Sequence, residues 1–277
     1  MLHRKPHCIF AFSFLLALTL APRPVLAAVT ITIVNLDGAG EGFNDAAAAD
    51  PDSTAGGNSG ATLGAQRLAA FQFAADIWSA QLDGSIEIRI GARMDPQLCN
   101  AMSAVLGSAG PTTAARDFTG ALVPNTWYAI ALANQLAGSD LAPGSDDIGA
   151  TFNSAIGTTC PFPNVWYYGL DGNPPGSKID FVSVVLHEIG HGLGFLTFVD
   201  LNTGQKLAGF DDTYMLNLED HSTGKLYPNM SNAERVTAST DSGDLHWVGV
   251  NVVSGGIGLA SGRDPLSGHV EMYAPSP

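Results

Sequence analysis

Val184-Val185-Leu186-His187-Glu188-Ile189-Gly190-His191-Gly192-Leu193-Gly194-Phe195 is the stretch on which both fold and chemistry turn. It reads as an amphipathic helix. His187 and His191 stand one turn apart, about 6 Å of rise, so both imidazoles leave the same face and can grip one metal ion. Glu188 sits beside the first histidine and one turn from the second. From there its carboxylate can reach a water on that metal without itself being a ligand. Zinc held by two neutral imidazoles and a third ligand lowers the pKa of such a water to about 7, and Glu188 would take its proton. That is chemistry suited to cleaving a peptide bond.

The surroundings of the motif strengthen the reading. Phe181-Val182-Ser183-Val184-Val185-Leu186 is apolar enough to be buried, with Asp180 placed as an N-cap. Burying two histidines and a glutamate on such a helix is costly unless a metal or hydrogen bonds compensate. Gly190, Gly192 and Gly194 are poor helix formers, so helix stability does not explain them. Gly192 and Gly194 suit a helix that must stop and turn sharply past the second histidine. The competing reading is an ordinary helix in which two histidines and a glutamate fall at this spacing by chance.

Residues 1–27 read as a secretory leader. Arg4 and Lys5 open it, Ile9 to Leu20 is apolar, and Val25-Leu26-Ala27 resembles a small-residue cleavage site. Pro22 and Pro24 interrupt well before the roughly 20 apolar residues a membrane span needs. Processing after Ala27 or Ala28 leaves about 250 residues, one large domain or a domain with an extension. Hydrophobic residues make up 45% and charged residues 14%, ample for a core. Loss of Arg4, Lys5 and Arg23 leaves 9 of the 12 basic residues against 26 acidic ones, taking the net charge from −14 to −17. Such a surface argues against binding nucleic acid or inserting into anionic membranes, and it favours cations. Cys8 leaves with the leader. Cys99 and Cys160 remain, and two cysteines in an exported chain are expected to pair, since a thiolate metal site would need more ligands nearby.

Taken in order, Val29 to Val34 alternates β-branched residues and reads as a strand. Asp37 to Gly60 is a polar loop in which Gly38, Gly40 and Gly42 interleave with Asp37, Glu41, Asn44 and Asp45. Its oxygens could hold calcium, against the simpler reading of a solvated loop. From Leu63 to Leu82, Leu68, Phe71, Ala75, Trp78 and Leu82 form one helical stripe. Asp83-Gly84 breaks it, and Ile86 to Ile90 alternates as a second strand. The result is a β-α-β start with a parallel pair. Residues 95–117 read as an unpatterned connector, and Asn125 as the cap of a short helix from Trp127 to Leu136. Asp146 to Ser154 reads as a strand at the edge of a substrate cleft, with Ile148, Ala150 and Phe152 on one face. The aromatic run Trp166-Tyr167-Tyr168 and a tight turn through Pro174-Pro175-Gly176 feed the helix at Asp180. Beyond it, Phe210 to Leu216 suits a short helix or strand and Leu245 to Val250 a strand. The chain shows no internal repeat, no linker and no nucleotide-binding glycine loop. It ends at Tyr273-Ala274-Pro275-Ser276-Pro277, which reads as a stop in mid-loop.

His187 to Phe195 resembles the zincin metallopeptidases, closest to the metzincin pattern H-E-x-x-H-x-x-G-x-x-H/D. His187, Glu188, His191 and Gly194 match it, while the final ligand position falls on Thr197, a poor zinc ligand. A wider likeness, carried by Asn125-Thr126-Trp127-Tyr128, Phe152-Asn153-Ser154, Trp166 to Gly172 and His187 to Phe195, is to a group of secreted bacterial metallopeptidases. In those proteins a segment like Tyr273 to Pro277 precedes a further histidine and a methionine-containing turn. The resemblance implies a zinc peptidase with its third ligand past Pro277. On this chain itself, Asp211, Asp212, Glu219, His221, His246 and His269 remain alternatives for that ligand.

Together these readings predict an α+β, zincin-like domain over 28–277: a small twisted mixed sheet, a long backing helix and the metal helix beneath a cleft. His187 and His191 are the expected zinc ligands and Glu188 the general base, acting on a protein or peptide substrate. Two rivals stand beside this: a zinc hydrolase of other amides or esters, and a secreted binding module that has lost catalysis.

Overall fold

A computed structural model describes residues 28–274. The expected leader at 1–27 and the final three residues lie outside the described ones. The first half of the chain runs β1 (Ile31–Asn35), α1 (Pro51–Ala55), α2 (Leu63–Gln81), β2 (Ile88–Asp95) and β3 (Gly107–Pro111). It continues through β4 (Ala114–Ala115), β5 (Thr126–Ala129), α3 (Ile130–Ala137), β6 (Ile148–Asn153), β7 (Trp166–Tyr167) and β8 (Ile179–Asp180) to α4 (Phe181–Gly192). After it come β9 (Asp211–Asp212), β10 (Leu218–Asp220), β11 (Lys225–Leu226) and α5 (Asn232–Ala238), then β12 (Leu245–Trp247), α6 (Val250–Gly255) and β13 (Val270–Glu271). The class is α+β. Among the described residues no helix is long and apolar enough to cross a membrane.

The β-α-β start is present. β1 and β2 pair in parallel with Ile31 opposite Ile88, and α2 makes the crossover. Thr62 caps α2, its hydroxyl accepting from the Ala65 amide at 3.1 Å. The main sheet has the order β1-β2-β6-β3, with β1, β2 and β6 parallel and β3 antiparallel at the border. α2 and α4 share a core with this sheet. Phe71 of α2, Phe152 of β6 and Phe181 of α4 meet edge to face, with ring centroids 5.5 and 5.0 Å apart. All three are fully buried. Each contributes about 1.5–3 kcal/mol by leaving water, with a further gain from the edge-to-face geometry. α2 is thus the expected backing helix, although of its stripe only Phe71 and Ala75 are fully buried and Leu68, Trp78 and Leu82 lie at the core's margin.

Three expectations change. The Asp146–Ser154 stretch supplies β6, which is flanked on both sides and is not the edge of a cleft. The border strand beside β6 is β3, inside the 95–117 stretch expected to be an unpatterned connector. Gly-Ser-Ala-Gly-Pro has little strand propensity, and it is extended because β6 offers it a free row of backbone partners. Asn125 does not cap a helix. It takes a left-handed φ of 54°, and Thr126–Ala129 is drawn into β5, pairing with β4 and with β9, so the helix starts later, at Ile130. Cys99 and Cys160 lie at disulfide distance with Cα atoms 5.9 Å apart, tying the approach to β3 to the turn after β6.

The chain after α4 builds a second, antiparallel sheet in the order β11-β10-β12-β13. Opposed partners share a face. Leu218 and Trp247 lie on one side with Leu245, and Glu219 and His246 on the other. The first side packs on a separate core containing Met215, Tyr227, Met230 and Ala238.

Candidate functional site

α4 is held at both ends by groups the sequence makes legible. Asp180 accepts from the Ser183 amide at 3.2 Å, the N-cap expected of it. Midway, the Trp78 indole N–H donates to the Leu186 carbonyl at 3.0 Å and fastens α4 to α2. At the C-terminus Gly194 adopts φ +111°, a conformation that favours glycine, and the Phe195 amide donates back to the Gly190 carbonyl at 3.0 Å. Gly192 has another purpose. A Cβ there would fall 2.4 Å from the Ile148 side chain, so glycine lets α4 press onto β6.

The turn at Gly194 brings the Phe195 carbonyl to His191, whose Nδ1 lies 2.8 Å from it. A carbonyl only accepts, so Nδ1 carries the hydrogen and Nε2 keeps its lone pair. That Nε2 faces the Nε2 of His187 at 3.0 Å. Two ring nitrogens so close share either a proton or a metal ion. The carbonyl bond on the far nitrogen is the orienting arrangement that metal-ligating histidines have. The donor set fits zinc for these two positions. Glu188 is buried beside the border strand, where a Cβ at Gly107 would meet its Cγ at 3.4 Å. His187 also lines an apolar cleft of about 600 Å³, walled by Trp78, Leu193, Phe195, Tyr214 and Trp247. Phe195 stacks on Trp247 at 5.3 Å and meets Tyr214 edge-on at 5.0 Å. Burial pushes the Tyr214 phenol up to about 12, so it remains a hydrogen-bond donor at neutral pH.

No family model, curated protein or solved structure matches the chain. The chemistry of the site therefore rests on its own geometry.

Among the described residues, no histidine, cysteine, aspartate or glutamate completes a group of three with His187 and His191. Thr197, at the final position of the motif, donates its hydroxyl to Asp212 Oδ2 at 2.7 Å. Asp212 also accepts from the amides of Phe198 and Met215, at 2.8 and 2.7 Å, so it braces the segment after α4. Burial holds its carboxyl above the usual carboxylate range although these three donors oppose the shift. Asp211 pairs with Lys206 at 2.6 Å. The 37–60 loop commits these acids to hydrogen bonds and an ion pair, partly with β2 and α2. Asp37 accepts from the amides of Phe43 and Met94, Glu41 from that of Gly38, and Asp45 pairs with Arg67. They do not converge as a calcium cage.

The other sequence candidates come together with one another. His221, His246 and His269 present ring nitrogens that all lie within 4.8 Å of one another, a metal-binding distance. His221 and His246 stack at 4.5 Å, and His269 meets both edge-on at 6.3 Å. Glu219 Oε1 lies 3.4 Å from His221 Nδ1 and 4.0 Å from His269 Nδ1. Sequence reading names these residues singly and misses the cluster. The available signal was Glu219-x-His221 and His269-x-Glu271, the alternation that puts both members on one face of a strand.

Proposed function

We propose that the chain is a secreted zinc metallopeptidase of zincin-like fold, with His187 and His191 as metal ligands and Glu188 as general base. The observation that carries the reading is the facing pair of ring nitrogens at 3.0 Å, with His191 locked in the ligating tautomer by Phe195. Zinc held there supplies a Lewis acid that acidifies water and polarises a carbonyl. Glu188 takes the proton of the attacking water. As the C–N bond breaks, it returns that proton to the leaving amine. The free edge of β3, on which Glu188 packs, offers backbone N–H and C=O groups to an extended peptide. The apolar cleft beyond His187 suits a hydrophobic side chain of that peptide. Export rests on the leader-like residues 1–27.

Replacing Glu188 by alanine tests this. Zinc content should match the parent, and peptide hydrolysis should fall at least 100-fold. Equal rates in the two proteins remove Glu188 from the mechanism. Hydrolysis of small esters or non-peptide amides without peptide cleavage would move the reading to another zinc hydrolase. A second reading, a secreted binding module without catalysis, is favoured by the two-member ligand set among the described residues. It requires that purified protein bind no metal through His187 and His191.

A further inference from the structure

We infer that His221, His246 and His269 form a second, structural zinc site, independent of His187 and His191. His246 is fixed in one tautomer by a carbonyl, as His191 is. His246 Nε2 lies 3.0 Å from the Gly243 carbonyl and must donate to it, which leaves the Nδ1 lone pair bare. That Nδ1 is buried and has no hydrogen-bond partner among the described residues, and the same holds for Nδ1 of His221 and of His269. Three buried, unpartnered nitrogens on rings that come within metal-binding distance of one another are rare in folded proteins unless something sits between them. Tetrahedral zinc with Zn–N bonds of about 2.0–2.1 Å holds its donors about 3.4 Å apart, so a small contraction of the triad makes the site. Glu219 stands within reach of two of the three rings and supplies a carboxylate for the fourth position. Three imidazoles and one carboxylate select a transition-metal ion over calcium or magnesium, which want oxygen. A set closed by four side chains is that of a structural site.

The placement gives the ion a task. Its ligands come from or border β10, β12 and β13, strands of two or three residues that short ladders alone hold weakly. His246 and Trp247 are neighbours on β12 and face opposite ways. Trp247 forms the cleft wall against Phe195, whose carbonyl orients His191. The second ion would thus hold in place the strand that supplies that wall.

The test uses the full chain with both motif histidines replaced, H187A/H191A, stripped by chelator, reloaded with zinc and desalted. One zinc per chain should remain. Cobalt in its place should give the visible absorption of a four-coordinate ion. Adding H269A, a side chain about one-quarter exposed at the sheet's border, should remove that ion. E219Q should weaken its binding about tenfold or more. Should the double variant fail to fold, H269A in the otherwise native chain decides, because zinc content should then fall by one ion per chain. A folded H187A/H191A protein that holds no zinc overturns the inference. So does H269A with unchanged zinc content.

Discussion

Asp212→Ala separates a brace from a ligand. The carboxylate receives three donors: Thr197 Oγ, the Phe198 amide and the Met215 amide. Met215 is fully buried, so its amide loses its partner outright, at about 1–3 kcal/mol. Thr197 and Phe198 are half-buried and recover part of their loss from water. One full penalty and two partial ones come to about 3 kcal/mol, or a fall in Tm of about 6–12 °C for a chain of this size. Denaturant unfolding measures the first quantity and calorimetry the second. Zinc bound by the folded variant should be unchanged, because both Asp212 oxygens are turned to Thr197, Phe198 and Met215. Loss of less than about 1 kcal/mol refutes the brace, and loss of zinc from a folded variant makes Asp212 a ligand after all. Its titration adds a signature. The folded carboxyl has a raised pKa, so its contribution to stability is complete below the unfolded value of 3.8 and is lost as pH rises through the folded value. Asp212→Asn should lack that decline, so that subtracting its stability from the parent's at each pH leaves the decline as the difference.

Gly192→Ala should loosen the packing of α4 on β6. The new Cβ overlaps Ile148 at 2.4 Å, and the overpacking cost of about 1–3 kcal/mol exceeds the helix-propensity gain of at most about 1. A stability equal to the parent's would show that β6 yields freely there. The Cys99→Ser/Cys160→Ser double variant opens a 61-residue loop and should lose about 4 kcal/mol in chemical denaturation, with no change for the parent under reductant-free conditions. Glu234, bonded to Lys225 and to the Ser231 cap, has its carboxyl pulled down to about 2. Its contribution is therefore present above the ordinary 4.5 and lost as pH falls toward 2, and Glu234→Gln should flatten that part of the acid-unfolding curve.

Much of the first half of the fold was legible because its signals are local. β1, α2, β2 and α4 each carry their own periodicity and punctuation, and a window of a dozen residues is enough to read Asp180 as a cap or Gly194 as a stop. What failed was set by partners distant in the chain. Gly107–Pro111 is a strand only because β6 has an open side, and Thr126–Ala129 is extended only because 114–115 and 211–212 flank it. Strands of two or three residues, such as those of the second sheet, are too short to show a period at all.

The same division explains the two histidine groups. His187 and His191 are one helical turn apart, so a single element brings their nitrogens together and the sequence displays the pairing openly. His221, His246 and His269 meet only after β10, β12 and β13 have paired, and the local alternation at 219–221 and 269–271 does not show that the three converge. Each also looked like a third ligand for the helical pair, a role that the parity of β12 argues against. His246 must turn away from the side on which Trp247 meets Phe195, or the strand could not keep both Leu245 and Trp247 on the apolar face. Moving His246 toward α4 would require breaking that alternation. One strand therefore borders both the cleft and the histidine triad, and a substitution at Trp247 should disturb the cleft while leaving the triad's nitrogens where they are.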